Sequence, residues 1–187
     1  MSEDTPGVLT QIESGDAVLV HRRRTLRSCL DHGILSFLIC MRIQRATRSP
    51  WNHIGIACGG TDLIEAEWGG VRQRPIADYV SNPDTFRVRI VKSPRLMDPR
   101  VAVTWATSQI GHGTYDWRWI IMLRVATLLF GAKGTRMLRA RRDGFWICSE
   151  LVAQSWREGG FTNYWRYQVP GDFSGIGLPG AFDVVTP

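Results

Sequence analysis

Two short strand-like segments joined by a pair of glycines constrain the fold of this chain more than any other feature. One segment reads His-Ile-Gly-Ile-Ala-Cys over residues 53–58, and the other reads Asp-Leu-Ile-Glu-Ala-Glu over 62–67. Because Gly59 and Gly60 separate them by so few residues, the pattern predicts an antiparallel hairpin. Side chains alternate between the faces of a strand, so the length of the loop decides which side chains lie together.

Loop length determines whether His53 and Glu65 can meet. A two-residue loop made of the glycines alone places the two side chains on opposite faces. A three-residue loop that also includes Cys58 sets them directly across from each other, about 5 Å apart at Cβ. A functional pairing of the imidazole with the carboxylate therefore predicts an odd number of loop residues. Glu67 has the same parity and is the alternative carboxylate.

Cys148 lies where a second pattern predicts the start of a helix. Residues 148–158 have amphipathic spacing and end at a glycine pair. The positive end of the helix dipole favours the thiolate, and the first backbone N–H groups offer half of an oxyanion hole. Gly55 and Ala57, on the face of His53, are expected to let this helix approach closely. A thiol, an imidazole and a carboxylate together suit acyl transfer through a thioester.

The remaining hydrophobic patterns predict an α+β domain with a central, largely antiparallel sheet packed against helices. Further strands are predicted at 17–20, 71–74 and 86–91, and helical segments at 26–45, 75–80, 98–110 and 117–130. The last 25 or so residues are rich in glycine, proline and aromatic residues and are expected to form an ordered loop. Without internal repeats or linkers, residues 1–187 are expected to be a single domain with a helical insertion around 117–142.

The net charge of +6, from 23 Lys and Arg against 17 Asp and Glu, permits an anionic partner without requiring one. Basic residues cluster near 22–48 and 133–142. These clusters are either solvated faces or, together with the apolar segment 117–130, a surface that contacts an anionic membrane. No nucleic-acid-binding motif is present, so no nucleic acid partner is expected.

The chain start and the cysteines favour a cytoplasmic protein, at most peripheral to a membrane. The first residues are acidic and polar, unlike a secretory signal, and the longest apolar stretch, 119–132, is too short to span a bilayer. The four cysteines lack Cys-x-x-Cys spacing and are expected to be free thiols. No metal site and no cofactor are expected.

Several short motifs occur in a distinctive order along the chain. They are Gly15-Asp16, Ser-Pro-Trp-Asn-His-Ile-Gly-Ile at 49–56, Ile64-Glu65-Ala66 followed by Gly70-Val71, Tyr115-Asp116, and Cys-Ser-Glu-Leu-Val at 148–152. This order resembles the circularly permuted branch of the NlpC-type papain-like cysteine hydrolases, which includes the YiiX-like proteins and, more distantly, lecithin:retinol acyltransferase. The resemblance covers about residues 15–160 and implies a permuted papain-like fold, in which the cysteine follows the histidine.

The resemblance also implies roles for particular residues. Cys148 would be the nucleophile, His53 the general base and Glu65 the third polar residue. The family often has a tyrosine just before the cysteine; here Ile147 occupies that position and offers no hydroxyl to an oxyanion hole. Residues close to the motifs in sequence are expected to bind substrate, namely Trp51, Asn52, Tyr115 and Trp146.

Residues and resemblance together predict a cysteine peptidase or amidase that cleaves an amide bond in a small peptide or amino-acid conjugate. One alternative is acyl transfer from a lipid or thioester to an amine at a membrane surface, with an acylated substrate. The other is a non-catalytic binding module on the same fold, which the intact Cys, His and Glu disfavour.

Overall fold

A six-stranded antiparallel sheet organises the chain in the computed structural model, which describes residues 11–23, 49–67, 69–95, 97–112, 114–115, 145–162, 170–174 and 182–184. The strands are β1 (Ala17–Arg22), β2 (His53–Cys58), β3 (Asp62–Glu67), β4 (Gly70–Pro75), β5 (Phe86–Val91), β6 (Thr114–Tyr115), β7 (Phe145–Trp146) and β8 (Phe182–Val184). The helices are α1 (Ala77–Val80), α2 (Pro99–Ser108), α3 (Cys148–Glu158) and α4 (Pro170–Ser174).

The strand order in the sheet is β4-β3-β2-β1-β5-β8, and every neighbouring pair is antiparallel. The two-residue strands β6 and β7 form a separate parallel pair. The predicted α+β class and the largely antiparallel sheet are thus confirmed. The prediction that the end of the chain forms an ordered loop is wrong in part, because β8 pairs with β5 and adds an outer strand to the sheet.

The predicted element boundaries are confirmed most closely where the sequence pattern is sharpest. The strands at 53–58 and 62–67 and the helix at 148–158 have the predicted ends. Helix α2 begins as expected, since the Asp98 side chain caps it by accepting from the backbone N–H groups of Arg100 and Val101. The helices predicted at 26–45 and 117–130, and with them most of the proposed insertion, lie outside the described residues. Within the part of the chain described, no helix is both long and apolar enough to cross a bilayer.

Each face of the sheet carries its own apolar cluster, because alternate strand residues point to opposite sides. We call the face that packs against α2 and α3 the helix face. Its buried residues include Leu19, Ile54, Ile56 and Ile64 from the sheet and Leu151, Val152 and Trp156 from α3. We call the opposite face, which packs against α1, the Tyr79 face. Its buried residues include Val18, Val20, Ala57, Leu63, Val88, Ile90 and Tyr79.

The Gly15-Asp16 motif ties α3 and β5 to the start of β1. The indole N–H of Trp156, on α3, donates to the carbonyl of Gly15 at 2.9 Å. The buried Asp16 carboxylate accepts from the backbone N–H of Ser93 at 2.9 Å and from the Lys92 ammonium at 3.0 Å. Gly15 has a φ of 90°, and a Cβ there would lie 2.8 Å from Pro99 Cβ. The motif therefore has a structural explanation in the described contacts.

Gly55, in the middle of β2, leaves no room for an added methyl group. A Cβ on Gly55 would lie 2.6 Å from two side-chain carbons of Leu63 and 2.9 Å from the carbonyl oxygen of Ile64. We expect Gly55→Ala to lower the free energy of unfolding by about 1–3 kcal/mol through overpacking, as measured by urea denaturation. Gly69→Ala is the matched control, because no atom of the described residues, apart from its chain neighbours, lies within 4 Å of its added Cβ. Equal effects of the two substitutions would contradict the tight packing over Gly55.

Candidate active site

The register of the β2–β3 hairpin places His53 and Glu65 on the same face. Cys58 pairs with Asp62 and Gly55 with Glu65, so the loop consists of the three residues between the first pair. The predicted odd loop is therefore confirmed. The predicted pairing is wrong by two residues: Glu65 lies across from Gly55, diagonal to His53, because the loop includes Thr61 rather than Cys58.

The diagonal arrangement still brings the imidazole and the carboxylate into direct contact. His53 Nε2 lies 2.8 Å from Glu65 Oε2. The same Oε2 accepts a hydrogen bond from the Tyr79 hydroxyl at 2.7 Å, and Oε1 accepts one from Arg72 Nε at 3.3 Å. The side chain of Glu65 is 0% exposed and that of His53 is 16% exposed. The carboxylate is thus buried with donors from β2, β4 and α1 around it.

These donors keep Glu65 ionised in spite of its burial. Burial alone raises the pKa of a carboxyl group, because it disfavours the charged form. Here hydrogen bonds and charges from His53, a hydrogen bond from Tyr79 and the charge of Arg72 outweigh burial and lower the pKa of Glu65 to about 2. Burial and the neighbouring carboxylate of Glu65 raise the pKa of Tyr79. Tyr79 is therefore a neutral hydrogen-bond donor to an anionic carboxylate across the neutral pH range.

His53 has contacts with both Glu65 and Cys148. Burial lowers the pKa of its imidazole, but side-chain hydrogen bonds to Cys148 and Glu65, and the charges of both groups, raise it well above its ordinary value of 6.5. Glu65 engages Nε2 of the ring. The surroundings of His53 therefore favour the imidazolium form.

Cys148 is the first residue of α3 and is 6% exposed. Ile147 at the N-cap has no side-chain hydrogen bond to the first turn. The expectation that Gly55 and Ala57 admit this helix is wrong: both lie on the Tyr79 face, where Leu63 covers Gly55, whereas α3 packs on the helix face. The thiol instead meets the imidazole at the start of β2, where His53 is the first strand residue.

Two arginines of β4 complete the polar cluster on the Tyr79 face. Arg72 pairs through Nε with Glu65 and through a second guanidinium nitrogen with Glu67. One Arg74 nitrogen lies 3.9 Å from Glu65 Oε1 and 4.0 Å from Glu67 Oε1, and the Arg74 guanidinium stacks 4.7 Å from the centre of the Tyr79 ring. The reserve carboxylate Glu67 is thus held by arginines rather than by a hydrogen bond to His53. The sequence analysis missed Arg72, Arg74 and Tyr79, although arginine alternates along β4 as glutamate does along β3.

The four residues expected to bind substrate differ in their surroundings. Trp51 is buried at 3% exposure, with the Arg89 guanidinium 5.2 Å from its ring centre. Asn52 is 5% exposed and accepts from the backbone N–H of Arg22 at 3.3 Å, and its buried amide nitrogen has no hydrogen-bond partner among the described residues. Tyr115 of β6 pairs with Trp146 of β7, and Trp146 precedes Cys148 by two residues. The structure describes the backbone of that pair but not its side chains.

Fold and site together define an α+β protein in which a Cys, a His and a Glu converge at one end of an antiparallel hairpin. Neither a protein-family model nor a curated protein sequence matches the chain. Among solved structures, the chain is similar to the metalloprotein YiiX from Escherichia coli O157:H7. The two share 15% sequence identity and a TM-score of 0.56, over 95% of this chain and 98% of the YiiX chain. The fold is therefore YiiX-like, as the sequence motifs predicted.

YiiX is named a metalloprotein, so we asked whether the present site suits a metal ion. Among the described residues, ligand atoms of His53, Glu65 and Glu67 lie within 4.8 Å of one another. However, Arg72 already pairs with both carboxylates, and Arg74 lies within 4.0 Å of both. A cation placed among these donors would have to displace or oppose two guanidinium groups. The residues present do not fit a metal ion.

The carboxylate of Glu65 is expected to set the pKa of His53. Replacing Glu65 with Gln removes the negative charge that favours the imidazolium, so the pKa of His53 should fall. NMR titration of the His53 ring protons measures this value directly. In the wild type, the stability that comes from the raised pKa of His53 is fully present below the ordinary value of 6.5 and is lost as the pH rises through the raised pKa. In Glu65→Gln that loss should occur at lower pH.

Glu67→Gln is the matched control for that titration, because Glu67 is 35% exposed and is held by Arg72. It removes the same charge from the same strand without removing a hydrogen bond to His53. Equal shifts in the two variants would mean that general field effects, rather than the Glu65 contact, set the pKa of His53.

Proposed function

We propose that this protein is a cysteine-dependent hydrolase of permuted papain-like fold that cleaves an amide bond in a small peptide or amino-acid conjugate. One observation carries the proposal: the His53 imidazole lies 2.8 Å from the buried Glu65 carboxylate and is also close enough to Cys148 for that thiol to raise the pKa of the ring. A nucleophile, a base within reach of it and a third group that orients the base are the arrangement that covalent catalysis needs.

The acylation step uses the thiolate–imidazolium pair. The sulfur of Cys148 attacks the amide carbonyl carbon, a C–S bond forms, and the carbonyl oxygen becomes an oxyanion. As the tetrahedral intermediate collapses, the C–N bond breaks and His53 gives its proton to the departing amine. The products of this step are a free amine and a thioester on Cys148.

The deacylation step returns the enzyme to its starting state. Neutral His53 takes a proton from a water molecule, and the resulting hydroxide attacks the thioester carbonyl. The C–S bond breaks, the acyl group leaves as a carboxylic acid, and Cys148 departs as a thiolate beside the protonated imidazole. The acid then ionises to solvent, and the net reaction is addition of water across one amide bond.

Glu65 supports both steps by holding the imidazole, without taking its proton. With a pKa of about 2, the carboxylate remains ionised throughout the working pH range. Its contact with Nε2 directs the other ring nitrogen towards Cys148. The hydrogen bonds from Tyr79 and Arg72 limit the movement of the carboxylate, so the imidazole has a fixed orientation.

The oxyanion is proposed to bind between the first turn of α3 and the amide of Asn52. The backbone N–H of Cys148 lies at the positive end of an 11-residue helix. Asn52 directly precedes His53, the first residue of β2. The bond from the Arg22 N–H identifies the Asn52 oxygen, so the buried amide atom that has no partner among the described residues is the Nδ2 donor. Buried donors normally have partners, and a substrate oxygen would supply one.

The order of the elements agrees with a permuted papain-like fold. In this chain the histidine strand β2 precedes the cysteine helix α3, whereas the family resemblance places them in the reverse order in papain. The similarity to YiiX supports a YiiX-like arrangement of sheet and helices, and the permuted papain-like relationship is part of this proposal.

The pH dependence of Cys148 alkylation tests the activated pair. We expect iodoacetamide to label Cys148 of the wild type rapidly at pH 6, because the imidazolium stabilises the thiolate. In His53→Ala, the rate should rise only towards about pH 8.5, as for an unperturbed thiol. Mass spectrometry of tryptic peptides reports each cysteine separately. Cys58 is an internal control, because burial and the charge of Asp62 raise the pKa of its thiol, so it should label slowly at pH 6.

Identical pH profiles for Cys148 in the wild type and in His53→Ala would overturn the proposal and favour a non-catalytic module.

A panel of aminoacyl and dipeptidyl coumarin amides then identifies the acyl groups that are accepted. Cys148→Ser should lose cleavage of any amide that the wild type hydrolyses. Transfer of a labelled acyl group to an added amine, in place of release as the acid, would identify a transferase.

Asn52 is tested separately from the thiol. If its amide donates to the oxyanion, Asn52→Ala should lower kcat for an accepted amide by about 100- to 1000-fold. Its alkylation profile should remain that of the wild type, since no oxyanion forms when iodoacetamide reacts. Circular dichroism checks folding, and Asn52→Asp provides a variant of the same size that replaces the amide donor. An unchanged kcat in both variants would remove Asn52 from the oxyanion site.

A further inference from the structure

We propose that Arg72 and Arg74 are built-in cations that take the place of a metal ion beside His53, Glu65 and Glu67. We call these last three residues the donor cluster. The guanidinium groups neutralise its carboxylates and prevent a divalent cation from binding to the imidazole. This inference concerns residues that the sequence analysis did not single out.

Without the arginines, the donor cluster would offer three metal ligands. Imidazole nitrogens and carboxylate oxygens both bind zinc in proteins. Their ligand atoms lie within 4.8 Å of one another, and all three residues belong to neighbouring strands of one sheet. Strands hold their side chains more rigidly than loops do, so the cluster would need little rearrangement to bind an ion.

The arginines occupy the side of the carboxylates that a cation would need. Arg72 reaches Glu65 Oε1 at 3.3 Å and also pairs with Glu67. Arg74 lies within 4.0 Å of both carboxylates and is held there by Asp78, at 2.8 Å, and by stacking on Tyr79. Because arginine remains protonated in proteins, its charge cannot be removed to make room for a metal ion.

The remaining oxygen of Glu65 is also engaged. Oε2 accepts from Tyr79 at 2.7 Å and lies 2.8 Å from His53 Nε2. A metal ion bound at Nε2 would break this contact and would stop the ring from becoming an imidazolium. Two fixed guanidinium groups balance the carboxylate charge while leaving the ring nitrogens free for Glu65 and Cys148. This benefit to the thiol rests on the proposed function, whereas the exclusion of metal does not.

Calorimetric titration with Zn²⁺ tests the inference on the full chain. All variants carry Cys148→Ser, so that the thiol cannot itself bind zinc beside His53. We expect the double variant Arg72→Ala/Arg74→Ala in this background to gain one Zn²⁺ site at least 100-fold tighter than any site of the parent. Adding Glu67→Gln or His53→Ala should abolish the gain. Arg95→Ala/Arg100→Ala is the matched control, because it removes the same two charges from exposed positions outside the donor cluster.

The outcomes distinguish this inference from the proposed function. Tight one-to-one binding by the parent that is lost with Glu67→Gln would overturn the inference, because the arginines would not be excluding the ion. An equal gain in Arg95→Ala/Arg100→Ala, or no gain in a folded Arg72→Ala/Arg74→Ala, would also overturn it. Arg72→Gln/Arg74→Gln, which retains more of both side chains, replaces the alanine variant if circular dichroism shows that the alanine variant is unfolded. None of these readouts requires catalysis, whereas the alkylation profile of Cys148 tests the hydrolase proposal alone.

Discussion

The burial of one carboxylate, that of Glu65, is the constraint on which the rest of the site depends. An ionised carboxylate removed from water costs several kcal/mol unless it is paired and hydrogen-bonded. Here His53 from β2, Tyr79 from α1 and Arg72 from β4 each supply a donor. Three elements therefore have to be in place before Glu65 can be buried at all. The contact with buried Glu65 also fixes the His53 imidazole, so the orientation of the base depends on the packing of the same three elements.

A second buried carboxylate, that of Asp16, also holds separate segments of the chain together, at the start of β1. It holds the turn before β1 and the segment after β5, while the adjacent Gly15 carbonyl accepts from Trp156 of α3. The helix that begins with Cys148 is thus anchored near its far end to the sheet that carries His53. Two anions therefore determine the geometry of the site: one contacts the base directly, and the other helps to place the helix of the nucleophile.

The hairpin shows how much of this site a sequence can predict. Periodicity gave the bounds of β2, β3 and α3, and the requirement that His53 meet Glu65 predicted the parity of the loop. Parity alone could not give the register, because a loop of residues 58–60 and a loop of residues 59–61 both contain three residues. The structure selects the second, in which both loop glycines have positive φ angles and Thr61 accepts from the N–H of Ile76. Tyr79 and the β4 arginines could not be predicted as partners of Glu65, because their contacts depend on how β4 and α1 pack and not on local pattern.

The position of β4 gives its arginines one more consequence. β4 is an outer strand of the six-stranded sheet, and outer strands can pair with another chain and seed aggregation. Charged side chains and proline discourage such pairing, and β4 carries Arg72 and Arg74 and ends at Pro75. The residues that neutralise the buried anion thus also protect the sheet from self-association. A relative without these arginines would leave Glu65 less well neutralised and its outer strand more prone to aggregation. The chemistry of the site is in this way coupled to the solubility of the protein.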